Sequence, residues 1–182
     1  MTAEKIVTVF GSSRPKESDP DYAEARALGR ALAENGFAVC SGGYAGVMEA
    51  ISRGAKEAGG KTYGVTADFF KAKTNPWIDV EVRTKTWQER LFELIRLADG
   101  FVACKGGTGT LVELAVVWEM LNKSVITAKP FAVLGDFWAP VLDRVREVEL
   151  GHPAPWGEAN GRLVHVARDA AEAAAFLSNH LR

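Results

Sequence analysis

Short apolar segments that lead into glycine, alternating with helical segments, constrain the fold of this chain more than any other feature. Three of them are rich in β-branched, aromatic and small apolar residues: 6–10 (IVTVF), 37–40 (FAVC) and 101–104 (FVAC). Each leads within two residues into a glycine-containing turn: Gly11-Ser12-Ser13, Ser41-Gly42-Gly43 and Gly106-Gly107. Continuous apolar runs of this length are typical of strands buried on both faces of a sheet.

Helical patterns separate the strands. The first helix is predicted to begin after Asp19, a plausible N-cap, with Pro20 in its first turn. Gly36 is a suitable residue to end this helix. Further helices are predicted over about 45–58, 86–98, 109–122, 136–150 and 168–181, with Asp136 capping the fourth of these. Further strands are predicted over about 62–65, 78–82 and 163–166. Residues 125–127 and 131–134 are either two short strands or one strand interrupted by Pro130, and 151–161 is predicted as a loop.

This alternation predicts an α/β fold, with a mostly parallel central sheet and helices on both faces. The 182 residues fit a single domain, 1–182. Ligands of such sheets bind beyond the carboxyl ends of the strands. Three glycine turns at that edge therefore predict a ligand site, because glycine lets the backbone approach a ligand closely.

Charge and composition narrow the classes of partner. With Lys plus Arg at 22 and Asp plus Glu at 23, the net charge is -1, which argues against nucleic acid or an anionic membrane as partner. No apolar run approaches the ~20 residues that span a bilayer, and the start does not resemble a signal peptide, so a cytoplasmic protein is expected. The two cysteines and three histidines show no ligand spacing, so we predict no metal and no cofactor.

The segment 105–110, KGGTGT, lies between a predicted strand and a predicted helix. Free N–H groups at the start of a helix and the helix dipole favour an anion there, and Thr108 and Thr110 add hydroxyl donors. The segment matches neither the Walker A pattern nor GxGxxG. We interpret it as a phosphate cradle; the alternative is a tight turn without a ligand.

The helix after this segment is unusual, because nine of the eleven residues from Leu111 to Leu121 are apolar. A helix apolar on all sides is buried by the core or by another subunit, so we expect a homodimer or an assembly built from dimers. Glu113, one of the two exceptions, lies in the first turn. There it either only stabilises the helix N-terminus or acts on a sugar hydroxyl or water next to bound phosphate.

Arg90 lies at the edge of the apolar stripe of the helix predicted from Thr86. An arginine in such a position is usually solvated. The alternative is that it points into the cleft, where a guanidinium binds phosphate or developing negative charge.

Two longer motifs resemble the LONELY GUY (LOG) family. Residues 41–65, SGGYAGVMEAISRGAKEAGGKTYGV, resemble its second β-α-β unit, and residues 105–113, KGGTGTLVE, are similar to its PGGxGTxxE signature. Residues 10–13, FGSS, match the end of the family's first strand, and Arg90 precedes Lys105 by the family's fifteen residues. The resemblance covers about residues 5–135.

The resemblance implies a Rossmann-like fold, usually dimeric, and a phosphoribohydrolase. Such an enzyme splits the N-glycosidic bond of a nucleoside 5′-monophosphate, typically a cytokinin riboside phosphate, into base and ribose 5-phosphate. Arg90 and Glu113 would be the catalytic pair. The phosphate-binding residues would be Gly106, Gly107, Thr108, Gly109 and Thr110, and those lining the nucleotide Gly11, Ser12, Ser13, Gly42 and Gly43. The family's old label of lysine decarboxylase finds no support, since the sequence shows no sign of a pyridoxal-phosphate site.

This chain departs from the family pattern at three places. Lys105 replaces the proline of the signature, Leu91 stands where lysine usually follows the arginine, and Trp87-Gln88 replace the usual Met-His. These departures resemble side branches of the superfamily, including molybdenum-cofactor carrier proteins. The second hypothesis is therefore a non-catalytic carrier of a nucleotide or other phosphorylated ligand, and a third is a nucleotide sensor.

Overall fold

A computed structural model describes residues 4–151 and 162–181. The strands within this part of the chain are β1 (Ile6–Phe10), β2 (Ala38–Ser41), β3 (Thr62–Ala67), β4 (Val80–Thr84), β5 (Gly100–Ala103), β6 (Phe131–Leu134) and β7 (Val164–Ala167). The helices are α1 (Pro20–Glu34), α2 (Val47–Glu57), α3 (Trp87–Leu97), α4 (Thr108–Asn122), α5 (Ala139–Leu150) and α6 (Ala170–Leu181). A short 3-10 helix, Asp68–Phe70, follows β3. The predicted loop 151–161 lies, beyond Gly151, outside the described residues.

The strands form one seven-stranded sheet in the order β4-β3-β2-β1-β5-β6-β7, and every pairing is parallel. This confirms the predicted α/β architecture. Strand β4 lies at one edge and its residues are exposed or half-buried, as the mixed apolar and acidic pattern of 78–82 indicates.

Each face of the sheet carries its own apolar core. Side chains alternate along β1, so that Val7 and Val9 face helices α1, α2 and α6, while Phe10 faces α3, α4 and α5. Thr8 also points to this second face, where its hydroxyl donates to the Leu94 carbonyl of α3 at 3.0 Å. The stripe of α3 that was predicted from sequence is buried in this layer.

Helix α3 starts where Thr86 was expected to open it. The Thr86 hydroxyl accepts the N–H of Glu89, and the Glu89 carboxylate accepts the N–H of Thr86, which forms a capping box. The cap fixes the start of α3 and with it the position of Arg90 one turn further on.

Two predicted boundaries are wrong. Residues 125–127 form no strand, because the N–H groups of Val125 and Ile126 bond to the Met120 carbonyl at the end of α4 and are lost to a sheet ladder. The strand in this region is β6 alone. Asp136 does not cap α5, which begins at Ala139 after Trp138; the Asp136 carbonyl instead accepts the Ala139 N–H in the preceding turn.

The order in which strands are added to the sheet reverses between β1 and β5, although all strands run in the same direction. Strands β2, β3 and β4 extend the sheet to one side of β1, and β5, β6 and β7 extend it to the other. The loops that leave β1 and β5 therefore diverge and open a crevice beyond their carboxyl ends, which is where ligands bind in open parallel sheets.

Candidate functional site

The loops after β1 and β5 are joined at the base of the crevice. The Ser12 N–H donates to the Lys105 carbonyl at 3.4 Å, and the Ser12 carbonyl accepts the Val47 N–H at the start of α2 at 2.8 Å. Gly11 is required here, since a Cβ on it would lie 2.3 Å from a Val47 methyl group. These contacts bring together the turns that follow β1 and β5 and the start of α2.

A cavity of about 1130 Å³ opens above these turns. The predicted site residues that line it are Gly11, Ser12, Ser13, Arg90, Gly106, Gly107, Thr108, Gly109, Thr110 and Glu113. The structure thus brings the two glycine turns and the two charged residues to one cavity. Gly42 and Gly43 do not line it.

The cradle is the N-terminus of α4. Gly107 is the N-cap, so the N–H groups of the next residues have no partner within the helix. Gly107 and Gly109 face open space, because a Cβ added to either would meet no atom within 4 Å. Gly106 instead packs on Thr110, whose Oγ1 would lie 2.2 Å from such a Cβ. Thr108 is exposed to the cavity, whereas Thr110 is buried beneath the cradle.

Glu113 lies in the second turn of α4 and not in the first turn, as was predicted, because the helix already begins at Thr108. Its side chain is only 15% exposed. Burial raises its pKa to about 7, while the charge of Arg90 acts in the opposite direction. The carboxyl group is therefore partly protonated near neutral pH. Such a group accepts or releases a proton readily at that pH.

Arg90 is buried and points toward Glu113, so the solvated alternative is wrong. Its Nε donates to the Val65 carbonyl at 2.8 Å, and its Nη1 lies 3.8 Å from Glu113 Oε1. The desolvation that accompanies burial lowers its pKa. Gly42 makes this position possible, because a Cβ there would lie 1.6 Å from Arg90 Nη2. Gly42, in the turn after β2, thus leaves the space that the Arg90 guanidinium occupies.

Two aromatic rings hold the guanidinium of Arg90 from its other sides. Its Cζ lies 5.5 Å from the centre of the Tyr44 ring and 5.3 Å from that of Phe70. The Tyr44 hydroxyl is fixed by the Ala67 backbone, accepting its N–H at 2.9 Å and donating to its carbonyl at 3.1 Å. Asn75, in the loop between the 3-10 helix and β4, donates from Nδ2 to the Tyr44 carbonyl. This bond holds the loop against the turn after β2.

Sequence reasoning did not single out several residues that line the cavity. They are Arg14, Tyr44, Met48, Phe70, Lys73 and Phe137. Tyr44 and Met48 follow the glycine turn after β2, so their position beyond a strand end was a usable signal. Phe70 and Lys73 belong to the segment after β3, which carries no glycine motif, and nothing in its pattern marks it as part of a site.

The described residues contain no group of three or more His, Cys, Asp or Glu side chains arranged to hold a metal ion. In the same part of the chain, no helix has the length and apolar character needed to cross a membrane.

The model of the SLOG cluster4 family matches residues 4–148. The chain belongs to this family. This confirms the resemblance inferred from the motifs 41–65 and 105–113. The SLOG match runs from β1 to most of α5 and includes every residue that lines the cavity.

This SLOG cluster4 protein has relatives that carry the name of an activity. It is 33% identical over 134 residues to the cytokinin riboside 5′-monophosphate phosphoribohydrolase of Mycobacterium marinum, covering 69% of this chain and 71% of that protein. It is 32% identical over 76% of its length to the rice enzyme named cytokinin riboside 5′-monophosphate phosphoribohydrolase LOG, and it spans 58% of the rice protein.

A solved structure extends the fold likeness over nearly the whole chain. The molybdenum cofactor carrier protein of Chlamydomonas reinhardtii superposes with a TM-score of 0.72 at 25% identity, over 98% of both chains. The SLOG cluster4 fold of this chain is therefore shared with proteins named as enzymes and with one named as a carrier.

Proposed function

We propose that this protein hydrolyses the N-glycosidic bond of a nucleoside 5′-monophosphate and releases the base and ribose 5-phosphate. The observation that carries the proposal is the buried Glu113 carboxyl, 3.8 Å from Arg90 Nη1 and one helical turn beneath the open N-terminus of α4. Two relatives at about one third identity bear the name of this activity.

Glu113 has the properties that the bond cleavage requires. When the bond between C1′ and the base nitrogen breaks, positive charge develops on the ribose ring, and a carboxylate nearby stabilises it. The oxygen of a water molecule then bonds to C1′, and the proton that it loses passes to the carboxylate. The departing base nitrogen keeps the electron pair of the broken bond and receives that proton. With a pKa of about 7, the Glu113 carboxyl group is half ionised at neutral pH. It is therefore available both as a carboxylate and as a proton carrier.

Arg90 acts in this proposal by orienting Glu113. Its Nε donates to the Val65 carbonyl, and the rings of Tyr44 and Phe70 pack against its guanidinium. The side chain therefore has little freedom to move toward a ligand. Its Nη1 faces the carboxylate, whose charged form it favours against the cost of burial. The phosphate contacts fall to the backbone N–H groups of α4.

A carrier of a larger phosphorylated ligand is the second candidate. Two observations favour it: the likeness to the Chlamydomonas carrier over 98% of both chains, and a cavity of about 1130 Å³, which exceeds what one nucleoside monophosphate fills. In that case the cradle would bind phosphate in the same way and Glu113 would not turn over a substrate.

One experiment separates the two candidates. The purified protein is incubated with a panel of purine, pyrimidine and N6-prenylated adenosine 5′-monophosphates, with the matching nucleosides as controls, and released base is measured by chromatography. Release of base from a monophosphate and none from its nucleoside supports the hydrolase. Binding of monophosphates without release of base from any of them supports the carrier and contradicts the hydrolase.

A further inference from the structure

Lys105 directly precedes the cradle in the sequence and carries a positive charge. Its main chain is fixed, since its carbonyl accepts the Ser12 N–H and the next residue, Gly106, begins the turn into α4. Its side chain is 52% exposed and lines the same cavity as Gly107 and Thr108. A flexible ammonium group on an anchored backbone therefore shares one cavity with the open N–H groups.

The present partner of Lys105 is easily exchanged. Its Nζ lies 3.0 Å from Asp21 Oδ2 in the first turn of α1 and 5.9 Å from the centre of the Phe137 ring. Both partners line the cavity, and the carboxylate is about one third exposed. Exposed ion pairs of this kind contribute little to stability, so a more strongly charged ligand displaces them readily.

The cradle alone offers too little positive charge for a terminal phosphate. The N-terminus of a helix is equivalent to roughly half a positive charge, whereas a phosphomonoester carries about 1.5 to 2 negative charges at neutral pH. The cavity is also lined by three carboxyl groups, Asp19, Asp21 and Glu113, and by three further cations, Arg14, Lys73 and Arg90. Lys105 is the cation nearest to the cradle in sequence, and it supplies what the backbone lacks.

We propose that Lys105 is a phosphate-binding residue that leaves Asp21 when a phosphorylated ligand enters, and that it selects a terminal phosphomonoester over a phosphodiester. This inference rests on the proposed phosphate cradle and applies equally to a hydrolase and a carrier. It assigns a function to the residue at which the chain departs from the proline of the PGGxGTxxE pattern.

The test measures binding of ribose 5-phosphate, its methyl phosphodiester and ribose by calorimetry at pH 7.5. Lys105→Met removes the charge and keeps the aliphatic chain, and Asp21→Asn releases Lys105 from its partner. Lys5→Met is the matched control, since Lys5 is 46% exposed and pairs with Asp99 at 3.1 Å at the opposite end of the strands.

We expect Lys105→Met to weaken binding of ribose 5-phosphate about tenfold and binding of the diester less than about threefold. Asp21→Asn strengthens binding of the monoester severalfold, and Lys5→Met changes neither. Equal affinity of wild type and Lys105→Met for ribose 5-phosphate, or equal losses for both esters, would overturn the assignment while leaving the cradle intact. Failure of the wild type to bind ribose 5-phosphate would overturn the cradle and the proposed function with it.

Discussion

Glu113 is held in a position that costs stability. A carboxyl group whose pKa is raised by burial is more easily accommodated in its neutral form, so the folded protein disfavours the charge that the proposed reaction uses. Arg90 offsets part of this cost, but its Nη1 lies 3.8 Å from Glu113 Oε1, so the two side chains do not form a close ion pair. Function and stability therefore make opposite demands on this one side chain.

Replacing Glu113 by glutamine is expected to stabilise the protein above neutral pH. The stability that the carboxyl group contributes is fully present below its ordinary pKa of 4.5 and is lost as pH rises through the folded value of about 7. Glutamine does not ionise, so the variant avoids that loss. The difference in free energy of unfolding, variant minus wild type, rises from near zero at pH 4 to as much as about 3 kcal/mol at pH 8.

Denaturant titrations at several pH values measure this difference. Glu119→Gln, on the exposed side of the same helix, is the control and shows no such increase. A difference for Glu113→Gln that stays flat between pH 4 and pH 8 would contradict the buried, weakly compensated carboxyl group.

The sequence indicated both charged residues but not how they meet. The orientation of Arg90 depends on the missing side chain of Gly42 and the ring of Tyr44, both in the turn after β2, and on the carbonyl of Val65 within β3. Periodicity along α3 alone places Arg90 at the edge of an apolar stripe, where solvation is the usual outcome. The orientation of Arg90 is decided only when β3 and the turn after β2 pack against α3.

At the scale of elements, strands and helices were predictable because each carries its own pattern. The buried strands are continuous apolar runs, and the turns after β1, β2 and β5 carry the expected glycines. Residues 125–127 were mispredicted because the N–H groups of Val125 and Ile126 donate to the Met120 carbonyl at the end of α4. Strand propensity takes no account of this competing hydrogen bonding. The N-terminus of α4 is the element on which ligand binding depends.

Gly109→Ala separates the fold of α4 from its role as a cradle. The added methyl group meets no atom, and alanine favours a helix over glycine, so the free energy of unfolding should stay the same or rise by up to about 1 kcal/mol. The methyl group enters the space that a phosphate would use and weakens binding of ribose 5-phosphate roughly tenfold or more. Calorimetry and denaturant titration on the same preparation check both; unchanged affinity would remove the N-terminus of α4 from the site.

At the scale of the whole molecule, one layer of helices leaves apolar side chains uncovered. Phe92 on α3 is 53% exposed, Leu111 on α4 is exposed, and Val141, Val145 and Val148 form an exposed stripe on α5. These three helices pack on the same face of the sheet. Such a surface is typical of one that meets a second copy of the chain across a two-fold axis.

We therefore predict a homodimer through the surface of α3, α4 and α5. Light scattering at micromolar concentration should give twice the chain mass of 19.7 kDa. Phe92→Glu should shift the protein toward monomer, because it buries a charge in the interface. The control is Phe69→Glu, at a phenylalanine that is 68% exposed in the 3-10 helix after β3, outside these three helices. A wild-type monomer, or equal effects of the two variants, would count against this surface.

The most direct test of the central claim is the rate of base release by Glu113→Gln, set beside its affinity for ribose 5-phosphate. With a monophosphate that the wild type hydrolyses, we expect kcat to fall by about 100-fold or more, since the carboxylate that stabilises the charged ribose ring and accepts the proton of water is gone. Affinity for ribose 5-phosphate should not fall, because the backbone N–H groups of the cradle and Lys105 are unchanged and the variant removes only a negative charge from the cavity. An unaltered rate of base release in Glu113→Gln would contradict the account and remove this residue from the chemistry.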